Sequence, residues 1–299
     1  MTPRVQTTSA RSATMALVMA SVAMVSGCTG ASPAVTPPAP PSATPIPAQA
    51  GPSTAAATPG QRPLPPLGAV ADYQLGGAYP PDAGVTVVTR DSSAEPAPGL
   101  YSICYVNGFQ TQPGADWPTE LLVTTTAGEP ITDPNWPDEH ILDISTTAKQ
   151  TQIVERLTPT IQRCAAAGFA AVEFDNFDSF TRSDGAFTSA EAVGFATTLV
   201  TSAHSSGLAA AQKNAPDLAR VGATSVGFDF AIAEECFQFS ECAAYAAAYG
   251  HRVIDVEYAD TLSSSFSTVC ASADRPASTM LRDRALTPAG DPKHIYEHC

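Results

Sequence analysis

Three features of the sequence predict an α/β fold and together favour a closed (β/α)8 barrel, the TIM barrel. Strand-like apolar runs alternate with helix-like segments, two of the strands carry carboxylates on one face, and no Gly-x-Gly-x-x-Gly or Walker-type loop follows any strand. Strands separated by helices form a parallel sheet, and in an open, doubly wound sheet the central strands are apolar on both faces. Because acids on one strand face suit the mouth of a barrel, we expect the closed form, although the order of elements fits both.

The predicted elements follow one another in a regular order. Strands are predicted at residues 85–88, 101–106, 169–175, 208–213, 227–233 and 252–258, and helices at 151–167, 188–205 and 242–249. In the first helix apolar residues recur at helical spacing, and Gly168 is in position to end it, while Pro159 predicts a kink or a later start. The second helix opens with the capping box Thr188-Ser189-Ala190-Glu191.

Composition divides the chain at about residue 68. Residues 29–68 contain 12 of the 27 prolines and no acidic residue, and such a segment cannot bury enough apolar surface to offset its ordering entropy. We therefore expect a signal peptide at 1–27, a disordered linker at 28–68 and one domain at 69–299.

The first residues have the features of an export signal. Arg4 and Arg11 precede an apolar run at 15–25 that is too short to span a bilayer stably. The run ends in Val25-Ser26-Gly27-Cys28, which resembles a bacterial lipobox and implies that Cys28 is diacylated. We expect a lipid anchor in the cell membrane with the domain on its extracytoplasmic face, or a secreted protein if the signal is an ordinary secretory one.

The charge balance excludes one class of partner. All 29 acidic residues follow residue 68, whereas three of the 15 basic residues precede it, and the formal net charge of the chain is −14. Because nucleic-acid phosphates would be repelled by such a domain, we expect no nucleic-acid partner. We expect a monomer.

The cysteine count agrees with an exported protein. Besides Cys28 there are six cysteines, and an even number outside the cytoplasm favours disulfide bonds. Cys236 and Cys242 are the first candidate pair because they are close in sequence, and a bond between Cys270 and Cys299 rests on parity alone. Without a Cys-x-x-Cys pair or histidines at ligand spacing, we expect no metal and no other cofactor.

Carboxylates supply the candidate chemistry. Acidic residues lie at or just past several strand ends, and a lysine and an asparagine follow another strand: Asp175, Asp178, Glu234, Glu235, Glu257, Lys213 and Asn214. Two carboxylates across a cleft, one ionised and one protonated, are what glycoside hydrolysis requires. The alternative is that these acids are helix caps and solvated loop residues. Lys213 could contact substrate or form a structural ion pair with Glu173 or Asp175.

Four segments together resemble glycoside hydrolase family 114, the endo-α-1,4-polygalactosaminidases and their relatives. They are residues 172–178, 212–214, 228–242 and 256–258, and the resemblance extends from about residue 73 to about residue 286. It implies a TIM barrel, with Asp175 as the catalytic aspartate of an Asp-Asn-x-Asp motif and Glu234 as the catalytic glutamate. It also implies a disulfide bond between Cys236 and Cys242. Departures in the first and third strands affect sugar contacts rather than the catalytic acids.

These residues suggest a specific mechanism. Asp175 would be the ionised nucleophile, and Glu234, beside the apolar Phe237, would be the protonated acid that then acts as base, with Glu257 as the alternative acid. Asp178, Lys213, Asn214, Gln238 and Glu257 would contact the sugar. Trp136 would stack on it, in preference to Trp117 and Tyr79. The sequence leaves open whether the anomeric configuration is retained or inverted.

The expected partner is a polysaccharide, and an acidic barrel mouth would attract an amino-sugar polymer with free amines. Two alternatives to a polygalactosaminidase remain. The first is a surface lipoprotein that binds polysaccharide without cleaving it, and the second is a hydrolase of a different glycan.

Overall fold

The computed structural model describes residues 62–299. The predicted signal peptide, the candidate lipidation site at Cys28 and the linker up to residue 61 lie outside the described residues. Residues 62–68, assigned by composition to the linker, contact the domain: Tyr101 Oη donates to the carbonyl of Pro63 at 2.9 Å, and Arg62 pairs with Asp229 at 3.5 Å. No helix within 62–299 is long and apolar enough to cross a membrane.

The domain is built on one sheet whose strands are adjacent in the order of the chain. Eight strands are parallel, and a ninth pairs antiparallel with the eighth. They are β1 (Ala71–Gln74), β2 (Val87–Asp91), β3 (Tyr101–Asn107), β4 (Ala171–Asp175), β5 (Ala209–Lys213), β6 (Phe230–Glu234), β7 (Val253–Tyr258), β8 (Ser278–Arg282) and β9 (Tyr296–His298). The α-helices are α1 (Thr147–Ala167), α2 (Ser189–Ser205), α3 (Ala219–Val221), α4 (Cys242–Tyr249) and α5 (Phe266–Ala271).

Side chains bring the first and last parallel strands together. The guanidinium of Arg282 on β8 pairs with Asp72 on β1 at 3.0 Å, and it also donates to the carbonyl of Tyr73. Both charged side chains are fully buried. The sheet is therefore a nearly closed barrel, and the predicted α/β TIM-barrel fold is confirmed.

Alternation along the strands separates two apolar layers. One layer fills the barrel interior and includes Tyr73, Ile103, Ile232, Val256 and Tyr258. The other lies between the sheet and the helices and includes Val106, Val172, Phe174, Ala233 and Val253. Because side chains alternate between faces, each strand sends every second residue towards the interior. This parity decides which acids can reach the barrel mouth.

The helix signals in the sequence correspond to real helix ends, with one difference. Helix α1 begins at Thr147, with Thr146 as its N-cap, and contains Pro159, so the proline does not delay its start. Gly168 ends it in the left-handed conformation at φ 98°. Helix α2 opens with the predicted capping box, in which the Thr188 and Glu191 side chains cap each other's backbone.

Three disulfide bonds join the six cysteines of the domain. Cys104 on β3 is bonded to Cys164 on α1, and Cys236 is bonded to Cys242 across the loop before α4. The third bond joins Cys270 on α5 to Cys299, which follows β9. Disulfide bonds are thus present, as the even count predicts.

Candidate active site

A buried lysine lies at the centre of the barrel mouth. Lys213 is the last residue of β5, and its ammonium lies 3.4 Å from Glu173, 3.6 Å from Asp175 and 3.3 Å from Glu234. Burial alone would lower the pKa of Lys213, but attraction to these three carboxylates outweighs it and raises the pKa well above its usual range. Lys213 is therefore a permanent cation shared by acids from two neighbouring strands.

Sharp turns follow the three strands that carry these groups. Asn176 after β4, Asn214 after β5 and Glu235 after β6 all have left-handed backbone, with φ of 67°, 52° and 60°. Asparagine adopts this conformation more readily than most residues, whereas a glutamate does so at some cost in strain. Each turn takes the chain away from the mouth immediately after the strand, so the last strand side chain stays at the rim.

Asp175 ends β4 and is held by neutral donors as well as by Lys213. The backbone N–H of Asn176 donates to its Oδ1 at 2.7 Å, and Tyr105 Oη donates to its Oδ2 at 2.7 Å. Tyr105 comes from the interior face of the adjacent strand β3. These contacts fix the orientation of the Asp175 carboxylate towards the open end of the barrel.

Glu234 ends β6 and has a polar environment in place of the expected apolar one. Asn214 Nδ2 donates to its Oε2 at 2.9 Å, and Tyr258 Oη donates to its Oε1. Burial would raise the pKa of Glu234, but the charge of Lys213 and these hydrogen bonds outweigh it and lower the pKa. Glu234 is therefore ionised in the free protein at neutral pH. The neighbourhood of Phe237 does not keep it protonated.

Glu173 lies one layer deeper on the same face of β4. Tyr73 Oη donates to its Oε1 at 2.6 Å, and the carboxyl group is completely buried. Burial raises the pKa of Glu173 to about 7, although the charge of Lys213 opposes the shift. Glu173 has no direct access to the mouth, so it supports Lys213 from below.

A small cavity of about 130 Å³ opens above this cluster. It is lined by Tyr105, Trp136, Glu139, Asp175, Asn176 and Glu234. Trp136 is 55% exposed and forms part of the cavity wall, and its stacking role stays a prediction. The two candidate catalytic acids therefore share one open space with an aromatic ring at its edge.

Other predicted site residues lie apart from this cavity. Asp178 pairs with Arg182 at 3.0 Å on the loop after β4. Gln238 accepts hydrogen bonds from the backbone and hydroxyl of Ser263 and lines a different cavity of about 600 Å³. Asn214 contacts Glu234, so within the described residues its role is to position that carboxylate.

Glu257 is on the wrong face of its strand for the predicted role. Val256 and Tyr258 belong to the interior layer, so Glu257, like Asp255, faces outwards. There Glu257 is fully buried and accepts the backbone N–H groups of Phe237 and Gln238. It braces the loop after β6 from outside the barrel and is not at the mouth.

The remaining aromatic candidates also have structural settings. The guanidinium of Arg156 lies over the indole of Trp117, 5.0 Å from the centre of the ring. Both residues line a separate cavity beside α1. Tyr79 is buried, and its hydroxyl donates to Asp72 at 2.8 Å.

Three residues of the site were not anticipated from the sequence. Tyr105 and Tyr258 could have been found by counting alternate residues along β3 and β7 to the mouth. Glu139 lies in the segment between β3 and α1, which contains only a short 3-10 helix and isolated β-bridges, so no periodicity marks it.

The described residues bring one group of possible metal donors together, namely Cys236, Cys242 and Asp255. The two cysteines are bonded to each other, so neither is free to bind a metal as a thiolate.

Comparison with known proteins identifies a family. The family model described as "Glycoside-hydrolase family GH114" matches residues 51–299. A comparison with curated protein sequences gives no match.

Solved structures with the same fold include two at low sequence identity. Ega3 of Aspergillus fumigatus, crystallised in complex with galactosamine, is 18% identical, with a TM-score of 0.65 over 81% of this chain and 99% of that chain. The glycoside hydrolase domain of PelA from Pseudomonas aeruginosa is 12% identical, with a TM-score of 0.52 over 75% of this chain and 97% of that chain. At these identities the similarity shows the shared barrel fold.

Replacing Glu173 should change how stability depends on pH. The pKa of Glu173 is about 7 in the folded protein against an ordinary value of 4.5. Between these values the folded state keeps a proton that the unfolded chain releases, so the free energy of unfolding falls as pH rises through this window. A glutamine at position 173 cannot titrate. We therefore expect the free energy of unfolding of Glu173→Gln to fall by about 3 kcal/mol less than that of the wild type across this window.

Urea unfolding at several pH values from 4.5 to 7.5 measures this effect. Glu129→Gln is the matched control, because Glu129 is exposed and should leave the decline unchanged. An unaltered pH dependence in Glu173→Gln would show that folding leaves the pKa of Glu173 close to its ordinary value.

Proposed function

We propose, because the chain belongs to glycoside hydrolase family GH114, that it cleaves α-1,4-linked galactosamine-type polysaccharide with Asp175 and Glu234 as its two catalytic carboxylates. The chain is a glycoside hydrolase, so the proposal concerns the substrate and the mechanism. One observation carries it: Asp175 and Glu234 end two barrel strands, share the ammonium of Lys213 and line the same cavity. This is the arrangement that a two-carboxylate cleavage needs.

The galactosamine part of the proposal has two supports. The Aspergillus fumigatus protein Ega3, which has the same fold, was crystallised in complex with galactosamine. In addition, three carboxylates line the cavity wall, while the two nearby cations among the described residues are already paired, Lys213 with three carboxylates and Arg182 with Asp133 and Asp178. An excess of negative charge favours a sugar that carries a protonated amine.

The reaction divides into two displacements. In the first, Asp175 forms a bond to the anomeric carbon while the bond to the glycosidic oxygen breaks, and Glu234 gives that oxygen a proton. In the second, Glu234 takes a proton from water, and the resulting hydroxide forms a bond to the anomeric carbon while the bond to Asp175 breaks. Both carboxylates return to their starting state.

The separation of the two carboxylates favours retention of configuration. One oxygen of each lies within 3.6 Å of the Lys213 nitrogen, so these oxygens can be no more than about 7 Å apart. Retaining glycosidases have carboxyl groups about 5–5.5 Å apart, whereas inverting enzymes need about 6.5–9.5 Å to admit a water molecule. Two carboxylates that contact one ammonium fit the shorter separation more readily than the longer one, and on this ground we propose a retaining enzyme.

The lowered pKa of Glu234 has a consequence for the acid step. Since Lys213 keeps Glu234 ionised at neutral pH, only a minority of molecules carry the proton that the leaving group needs. Hydrolysis should therefore be faster at mildly acidic pH than at pH 7.

We also propose that Cys28 is lipidated and that the linker holds the barrel outside the cell membrane. The support is the lipobox-like sequence 25–28, the composition of the linker and the three disulfide bonds of the domain, which suit an oxidising compartment. A lipid-anchored hydrolase would act on polysaccharide close to the surface of the cell that carries the enzyme.

Removing either catalytic carboxylate should abolish cleavage of α-1,4-polygalactosamine. We expect Asp175→Asn and Glu234→Gln each to lower the rate at which reducing ends appear by about 1,000-fold or more, because each removes a group that acts on the reacting atoms. Asp217→Asn, at an exposed position in the short 3-10 helix after β5, is the control and should keep full activity. Wild-type protein that binds the polymer but releases no reducing ends would favour the non-catalytic alternative.

The anomeric form of the first product, followed by NMR in the same digest, tests retention. Initial appearance of the α-anomer is expected. The β-anomer as first product would contradict the two-step mechanism.

The pH profile of hydrolysis should depend on Lys213. Its charge lowers the pKa of Glu234, so Lys213→Met should raise that pKa and move the alkaline limb of kcat/KM to higher pH, while Lys213→Arg should leave the limb nearly in place. A shift of the acidic limb instead would show that Glu234 is the nucleophile.

Loss of Cys28 should release the protein from membranes. We expect Cys28→Ser, expressed in a bacterial host, to move from the membrane fraction to the soluble fraction, whereas Thr29→Ser should stay with the membrane. Membrane retention of Cys28→Ser would overturn the anchor.

A further inference from the structure

We propose that Glu139 is a specificity residue that binds the ammonium group of a galactosamine unit and so discriminates free amine from N-acetyl amine. The inference rests on the proposed function, since it concerns the sugar held in the same cavity. Glu139 belongs to the irregular segment between β3 and α1 and was not among the residues that the sequence marked as functional.

The backbone holds Glu139 and Trp136 on one tight turn. The N–H of Glu139 donates to the carbonyl of Trp136 at 2.9 Å, and the N–H of Asp133 donates to the carbonyl of Glu139 at 3.0 Å. Arg182 anchors the turn through an ion pair with Asp133 at 2.6 Å. The carboxylate and the indole therefore reach the cavity from the same rigid piece of chain.

Only one of the two oxygens of the Glu139 carboxylate accepts a hydrogen bond from the described residues. Its Oε2 accepts Asn107 Nδ2 at 2.7 Å, and Asn107 is itself held by Asn176 at 3.0 Å. Its Oε1 receives no hydrogen bond from the residues that the structure describes. The side chain is only 9% exposed, yet it contributes to the cavity wall. A buried, oriented carboxylate with one free oxygen facing a cavity is suited to a donor supplied by a ligand.

The charge of Lys213 acts on Glu139 only from a distance that is too long for an ion pair. Between residues 62 and 299, no lysine, arginine or histidine lies within ion-pair distance of it. Lys213 is engaged by three other carboxylates, and Arg182 is engaged by Asp133 and Asp178. A sugar ammonium would supply the missing positive charge, and the face of Trp136 beside it could add a cation–π contact.

The titration of Glu139 agrees with this role. Burial raises its pKa to about 7, opposed by the hydrogen bond from Asn107 and the charge of Lys213 and reinforced by the charges of Asp175 and Asp133. An approaching ammonium favours the ionised form and lowers this pKa, so binding of the amine and ionisation of Glu139 support each other. An N-acetyl group carries no charge and offers no such gain.

The test compares two short α-1,4-linked probes of equal length, an oligomer of galactosamine and one of N-acetylgalactosamine. Their binding to the full chain is measured by calorimetry at pH 7, and their hydrolysis is measured in parallel. Glu139→Gln keeps the volume and the acceptor for Asn107 but removes the charge. Asp138→Asn removes a charge from the neighbouring exposed residue and is the matched control.

We expect Glu139→Gln to weaken binding of the galactosamine oligomer about tenfold, the value of one hydrogen bond to a charged group, while the N-acetylated oligomer changes less than about twofold. Asp138→Asn should change neither. Unchanged galactosamine affinity in Glu139→Gln would overturn the inference, as would an equal loss for both probes. A fall in kcat for both substrates without a change in amine selectivity would also overturn it, and would make Glu139 a proton donor.

Binding and hydrolysis separate this inference from the proposed function. If the wild-type chain binds the galactosamine oligomer selectively, loses that selectivity in Glu139→Gln and yet cleaves neither probe, the specificity role holds and the hydrolysis of this substrate class fails.

Discussion

The charge of Lys213 is the constraint on which the barrel mouth depends. A single buried ammonium compensates Glu173, Asp175 and Glu234, and without it three carboxylates would share a poorly hydrated space. The same ion pairs keep the lysine protonated and hold the two upper acids at fixed positions. Lys213 therefore has a structural and a functional effect that cannot be separated, because the contacts that stabilise the site also set the charge of Glu234.

The order of strands and helices could be predicted from the sequence because both have strong local signals. The strands β3 to β7 have continuous apolar or alternating runs, and α1 and α2 have clear caps. The short strands β1 and β8 have weaker signals, and they are joined by the buried side-chain contact between Arg282 and Asp72, 210 residues apart in sequence. No local pattern predicts a contact of that range, so barrel closure could be inferred only from the placement of the acids.

Strand parity explains why the acids of β4 lie on the interior face of the barrel, as predicted, whereas those of β7 lie on the outer face. Both β4 and β7 carry two acids separated by one residue, but on β4 they share the interior face with Ala171, whereas on β7 Val256 and Tyr258 occupy that face. The sequence shows that two acids lie on the same side of a strand without showing which side is inside. That choice is made by the neighbouring strands, and it places Glu257 beneath the backbone of the loop after β6.

The site combines two kinds of scaffold with different tolerance to change. Asp175, Lys213 and Glu234 end strands whose backbone is fixed by pairing on both sides, whereas Trp136 and Glu139 lie on an excursion held by isolated bridges and side-chain contacts. Substitutions in the excursion can alter the cavity wall without disturbing the ion pairs around Lys213. The amine selectivity proposed for Glu139 can therefore change without moving the proposed catalytic pair, since the two belong to different hydrogen-bond networks, which are linked through Asn107, Asn176 and Arg182.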